Sequence, residues 1–373
     1  MPAETPAPKK KSKKKKKAKK TNVVAVILFT LLFLVIACVL LVFLFIESKI
    51  SKIDFDVGTP LTQEEIAIQQ NFDPVVEFAD EPQIDVSELP VVRELSLPMG
   101  AIKQDDDVLN VLLLGTDERD FEFNYASRAD ACMLVSLNFK EGTGKLVSFE
   151  RGMGVLILDG QYAGQYDWLT HCFRYGGADL MLREIRELFH VDVDHYVRIN
   201  LNMLIKIVDA VGGVDVELTQ AEADYINRHY ETGYRGDSND EYQIVHEGWN
   251  HLNGVSALDY ARCRHIDSDW QRIGRQRNLV QAFVNEIKNA DFYTLNNLLD
   301  TLLPMVRTNF TRSELLALIP KAPSMLGVKF DQLTIPEEGH YGGMPVMNGN
   351  GGFAPDLDYH ARLLEEFLYG NDD

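Results

Sequence analysis

"DVLNVLLLGTDERD" (107–120) is a nearly unbroken apolar run that ends in glycine and charge. It reads as a buried strand over 108–114, with a turn at Gly115 that sets Asp117 and Arg119 just past the strand's C-terminal end. "RADACMLVSLNF" (128–139) starts a second strand near residue 131. "KEGTGK" (140–145) is a hairpin turn signal, and "KLVSFERG" (145–152) is a third strand ending at Arg151. Strands running up, down and up bring Asp117, Arg128, Asp130 and Arg151 to one end of a sheet. Charges gathered at a strand end commonly mark a site in α/β sheets.

Downstream, helical and strand patterns alternate. "GGADLMLREIRELF" is helical, "VDHYVRINL" extended, "LNMLIKIVDAV" helical, and Gly212-Gly213 turns into "VDVEL". That alternation predicts an α/β domain beginning near Val108, with helices on both faces of a sheet. No internal repeat is visible.

Upstream, the charge is divided sharply. The chain has 37 Lys+Arg against 56 Asp+Glu, a net −19. "KKKSKKKKKAKK" (9–20) makes the first 46 residues +9, so residues 47–373 carry −28. A body this acidic argues against nucleic acid as a partner, because cationic groups supply most of that affinity. "VVAVILFTLLFLVIACVLLVFLFI" (23–46) has no charged residue over 24 positions, enough for a membrane-spanning helix and too long for the apolar part of a cleaved signal. The expected order is a cytoplasmic lysine-rich tail (1–22), a transmembrane helix (23–46), an extracellular acidic linker (47–107) and an extracellular domain (108–373). The lysine block holds the N-terminus inside. Cys132, Cys172 and Cys263 are scattered singly, with no CxxC pair, and read as buried thiols.

Against that acidity, "YARCRHIDSDWQRIGRQR" (260–277) concentrates five arginines. Arg262 and Arg264, two apart in an expected extended piece, point to one face. In the helix that follows, Arg272, Arg275 and Gln276 continue the apolar stripe of Val280, Phe283, Val284 and Ile287, and Arg277 lies at its margin. Charged groups on a core-facing stripe need partners. An anion at the helix N-terminus supplies them, and structural salt bridges are the other reading, evenly weighed for Arg262 and Arg277. With Asp117 and Asp130 available for a divalent metal, the set suits a diphosphate with Mg²⁺. His171 either lines this site or caps a helix.

Together, "LNVLLLGTDERD", "SRADACMLVSLN", "LVSFERG", "THCFRYGG", "HLNGVSALDYARCRH" and "SDWQRIGRQRNLVQAF" resemble the LytR-CpsA-Psr family from about Val108 to Ile287. The resemblance implies a three-layer α/β/α sandwich around a mixed central sheet, preceded by one transmembrane helix. It also implies a phosphotransferase that moves a glycopolymer from a polyprenyl-diphosphate carrier to a peptidoglycan hydroxyl, with the lipid tail in an apolar groove. By motif, Asp117 and Asp130 take the metal-binding positions, and Arg128, Arg151, Arg262, Arg264, Arg272 and Gln276 the phosphate-binding ones. Asp269 is the second acidic position. The catalytic set is thus Asp130, Arg151, Asp269 and Arg272, and Arg119 and Arg275 join the substrate-binding residues. Asp269 and Asp130 are the candidate bases, and the abundant apolar residues of 180–215 and 279–303 are the expected groove lining. Two departures stand out: Glu150-Arg151-Gly152 replaces the family's usual Pro-Arg-Asp, and Trp168 replaces a lysine. Alternatives are a non-catalytic polyprenyl-phosphate-binding envelope protein and a membrane-bound regulator of the transcriptional-attenuator type.

Overall fold

A computed structural model describes residues 41, 44–56, 72–78, 83–118, 127–232, 242–263, 266–325 and 327–370. The chain divides into two units, Met1–Ser48 and Lys49–Asp373. The lysine block and nearly all of the 23–46 span lie outside the described residues. Among the described residues no helix is long and apolar enough to cross a membrane.

The second unit is built on a mixed sheet of β1 (Asp54–Phe55), β2 (Val108–Thr116), β3 (Ala129–Asn138), β4 (Thr143–Phe149), β7 (His195–Asn200), β10 (Arg307–Thr308) and β11 (Phe330–Ile335). Three hairpins surround it: β5 (Gly154–Leu156) with β6 (Tyr166–Trp168), β8 (Val214–Leu218) with β9 (Gly248–Leu252), and β12 (Tyr341–Pro345) with β13 (Gly351–Pro355). The sheet order is β1-β10-β7-β2-β3-β4-β11. As the sequence predicts, β2, β3 and β4 pair antiparallel in succession, while β7 and β11 add parallel to β2 and β4. "VDVEL" is a strand, but it pairs with β9 in a separate hairpin and does not join the sheet.

Beside the one-turn helix Pro74–Glu77, the helices are α1 (Leu169–Phe189), α2 (Leu201–Ala210), α3 (Gln220–Thr232), α4 (Gly254–Arg262), α5 (Asp269–Asn289), α6 (Phe292–Leu302), α7 (Arg312–Leu318) and α8 (Leu357–Tyr369). Alternation along the strands divides the sheet into two faces. Leu112, Leu114, Leu134 and Val147 share a core with Ile185 and Leu188 of α1 and Leu364 of α8. Each of these leucines is fully buried, which stabilises by roughly 1.5–3 kcal/mol per side chain. Leu113, Gly115, Ala131, Met133 and Ile199 turn to the other face, around a cavity closed by α2, α4 and α5.

Three expectations need correction. Residues 47–107 are not a free-standing linker where they are described. Phe55 and Asp54 form an edge strand beside β10, and the Val92 amide donates to Gly343 O while the Gly343 amide donates to Pro90 O. Leu95 is buried in the main core. Arg262 is not extended but lies in the last turn of α4, so the two-apart argument with Arg264 fails. On α5 Arg272 and Arg275 are buried as the stripe predicts and Phe283 and Ile287 pack partly against the core, but the fully buried apolar residues are Ile273, Leu279 and Ala282, beside the predicted Val280 and Val284.

Candidate active site

Strand ends and one helix start supply the site. Past β2, both carboxylate oxygens of Asp117 accept from Arg128: the backbone amide gives to Oδ1 at 2.9 Å, and Nε and Nη2 give to Oδ2 at 3.0 and 2.8 Å. This clasp pins the two ends of the 117–128 loop. One strand over, Arg151 Nη1 donates to Asp130 Oδ1 at 3.0 Å, and its guanidinium lies 5.7 Å from the Trp168 ring. The up-down-up order does bring these four charges to one sheet end, as two arginine–carboxylate pairs.

From the first turn of α5 comes Arg272, 3% exposed, whose Nη2 donates to Asp269 Oδ2 at 2.8 Å and whose Nε sits 2.7 Å from Oδ1. Burial would push the Asp269 carboxyl up, but Arg272, a hydrogen bond from Glu150 and Arg151 together hold it below the usual carboxylate range. Glu150 is its opposite. Burial, then the neighbouring Asp269 charge, push its carboxyl well above the ordinary value, against Arg272 and Arg151. One proton is therefore shared by the pair, held on Glu150.

Two cavities meet at Arg272. The first, about 120 Å³, is walled by Leu113, Met133, Leu204, Leu258, Leu279 and Val280, with Asp130, Arg262, Arg272 and Gln276 at its polar end. The second, about 380 Å³, is bounded by Glu150, Arg151, Asp269, Trp270, Arg272 and Phe353. The predicted groove lining is only partly right. Ile199, Leu204, Leu279 and Val280 line the first cavity, but Leu180, Leu182 and Ile185 pack the core on the opposite face of the sheet.

The remaining predicted residues separate. Arg275 does not reach either cavity. Its guanidinium donates to Asp267 at 2.7 and 2.8 Å, to Glu222 at 3.2 Å and to Cys263 O at 2.8 Å, the internal salt-bridge role. Arg277 donates to Gln332 and Thr334. Arg119 and Arg264 lie outside the described residues. His171 neither lines a cavity nor caps α1; it is fully buried, stacked on Phe78 at 3.6 Å. Sequence reasoning missed Arg198, 6% exposed on β7, which pairs with Glu118 and donates to Ser127 Oγ at 3.0 Å. Its signal was an arginine in register with the buried Tyr196 and Asn200 of an alternating strand. In the sequence Glu150 stands out only as a departure from the family pattern; in the fold it is buried beside Asp269.

Fold and site together define a mixed α/β domain with two arginine–carboxylate pairs at the sheet end, beside an apolar and a polar cavity. The LytR_cpsA_psr family model matches residues 79–358, and the chain belongs to that family. Among its relatives is the polyisoprenyl-teichoic acid–peptidoglycan teichoic acid transferase TagT of Bacillus subtilis, 30% identical over 231 residues, covering 61% of this chain and 68% of TagT. The TagU transferase of Bacillus cereus is 30% identical over 237 residues, 62% of this chain and 70% of TagU. A solved structure of TagT bound to LI-WTA superposes with a TM-score of 0.55 at 28% identity, covering 72% of this chain and 94% of that one.

Proposed function

We propose that this chain is a phosphotransferase that moves a glycopolymer from a polyprenyl-diphosphate carrier onto a peptidoglycan hydroxyl. The observation that carries this reading is the place of Arg272, whose buried guanidinium borders both the apolar and the polar cavity. A lipid-linked diphosphate has the same order from its tail inward: an apolar chain, then a doubly charged centre, with the polar side left to the sugars that meet there. The names of the related transferases point the same way. In this reading the second unit is a three-layer α/β/α sandwich held outside the cell membrane by the 23–46 helix, with the lysine tail in the cytoplasm.

The tail lies along Leu113, Met133, Leu204 and Val280. Arg272 and Arg151 bind the two phosphates, and Arg262 and Gln276 border the lipid-side phosphate. Arg272 and Arg151 stand at the cavity wall already oriented by Asp269 and Asp130, and a phosphate that takes those carboxylates' place as counter-ion leaves Asp130 free for a cation. Asp117 and Asp130 would hold Mg²⁺. Carboxylate oxygens are the donors a hard cation takes, and two of them leave the rest of the shell to phosphate and water. Among the described residues no group of three or more potential metal ligands gathers, so substrate and water would have to supply the rest of the shell. When bound, the ion neutralises diphosphate charge.

The test is a transfer assay. Full-length chain in vesicles receives a synthetic polyprenyl-diphosphate glycan and peptidoglycan oligomers. Covalent glycan–peptidoglycan product supports the proposal. Tight binding of polyprenyl phosphate with no product identifies the non-catalytic binder instead.

A further inference from the structure

The position two residues after Glu150 is glycine, and the space beside it is filled from elsewhere. A Cβ on Gly152 would lie 3.2 Å from Glu150 Oε2 and 3.6 Å from Oε1, and 2.2 Å from the Ile84 Cδ1 methyl. The Glu150 carboxyl has swung into the volume that a side chain at 152 would enter, at the wall of the 380 Å³ cavity. Glu150 is 2% exposed; apart from the proton its carboxyl shares with Asp269, no donor among the described residues reaches its Oε2. A buried carboxyl oxygen left without a partner is costly, so it marks a place where a ligand completes the bonding.

The cavity has the make-up of a sugar subsite. Trp270 and Phe353 stand 5.0 Å apart, edge to face, and Trp270 lies 6.0 Å from Tyr341. The face of one such ring, Trp270, suits the C–H face of a pyranose, and the carboxylates and Gln83 that line the cavity suit its hydroxyl groups. Ser268 and Trp270 also border a second polar hollow toward Arg277 and Tyr341, so the wall continues beyond one sugar.

We propose that this cavity seats the acceptor sugar and that Glu150 takes the proton from its attacking hydroxyl. The inference rests on the transferase reading and names the acceptor side of the same site. The acceptor O–H bond breaks and its proton passes to Glu150 Oε2. The acceptor oxygen bonds the sugar-proximal phosphorus, and the P–O bond to the lipid phosphate breaks. Polyprenyl monophosphate leaves with that electron pair, and Glu150 gives its proton to water once product departs. The charged and titratable groups facing Glu150 are Asp269 and Arg272 of α5, Arg151 beside it, Tyr341 of β12, and Asp85 and Asp267 at the cavity rim. Because burial and Asp269 raise the Glu150 carboxyl, the rate should climb with pH above the ordinary carboxylate range, where Glu150 becomes ionised.

The experiment uses full-length protein in vesicles with a synthetic polyprenyl-diphosphate disaccharide and peptidoglycan oligomers. Glu150→Gln should lower kcat by about 100-fold or more, leave donor KM nearly unchanged and erase the acid limb of the pH profile. Glu150→Asp should keep that limb with an intermediate kcat. Trp270→Ala should raise acceptor KM about tenfold at nearly constant kcat. Wild-type transfer together with an unchanged Glu150→Gln kcat and pH profile overturns the role of Glu150 and leaves the transferase standing. A wild type that forms no product overturns both. If the glutamine variant does not fold, Glu150→Asp decides: a lowered kcat with the limb retained supports the role, and wild-type values overturn it.

Discussion

Arg272 and Arg275 stand one turn apart on α5, and both are 3% exposed. Their partners give them different fates. Arg272→Ala removes charge-assisted bonds to a diphosphate and should weaken binding of polyprenyl diphosphate by about 10- to 100-fold, measured by calorimetry. Arg275→Ala strands the buried Glu222 without its guanidinium partner and should cost about 3 kcal/mol of stability, measured by urea unfolding. Nothing in "QRIGRQR" distinguishes these two arginines. The partners of Arg275 come from the turn at Asp267 and from α3, and a helix projection sees neither. A second buried group sets a pH dependence. Glu184 of α1 is fully buried, and burial raises its carboxyl to about 8, opposed by the Leu158 amide and Arg183. The unfolded chain releases that proton near the ordinary glutamate value while the folded chain retains it. The contribution of Glu184 to stability is therefore full below about pH 4.5 and falls as pH rises toward 8. Glu184→Gln should flatten the fall in melting temperature across that window and raise it at pH 8.

Among the elements, the α2–α4 contact has the least room. A Cβ on Gly254, at the start of α4, would lie 2.1 Å from the Ile205 carbonyl oxygen of α2. That neighbour is backbone and cannot swing aside. Gly254→Ala should force the helices apart at a cost of about 1–3 kcal/mol, seen as a lower midpoint in thermal or urea unfolding. Because α2 and α4 both wall the apolar cavity, polyprenyl phosphate binding should change as well. The central strands were legible because burial writes itself into them: β2 and β3 keep an apolar run bounded by turn residues. The strands β9 and β10 were not. "GWNHL" and "RT" owe their pairing to Val214–Leu218 and to β7, so no local pattern announces them.

At the scale of the molecule, the N-terminal segment belongs to the domain that it was expected only to tether. Its bonds run to Gly343 and Asn350, some 250 residues away, beyond the reach of any local reading. A chain begun at Val108 loses Leu95 from the core and the Pro90–Gly343 pairing, and should melt several degrees below one begun at Lys49 in a thermal scan. Topology has its own check. A reporter enzyme active only outside the cytoplasm should work when fused after Asp373.

The clasped arginines carry a consequence for how the protein meets salt. Arg128, Arg151 and Arg272 each already hold a carboxylate, in a domain whose balance is −28. A diphosphate that arrives there does not neutralise bare cations; it trades places with Asp117, Asp130 or Asp269 as counter-ion. Such an exchange releases few mobile ions from solution and takes place within a shielded pocket, where dissolved salt reaches poorly. Affinity for the lipid donor should therefore hold nearly level as ionic strength rises, where an open basic patch would lose it steeply.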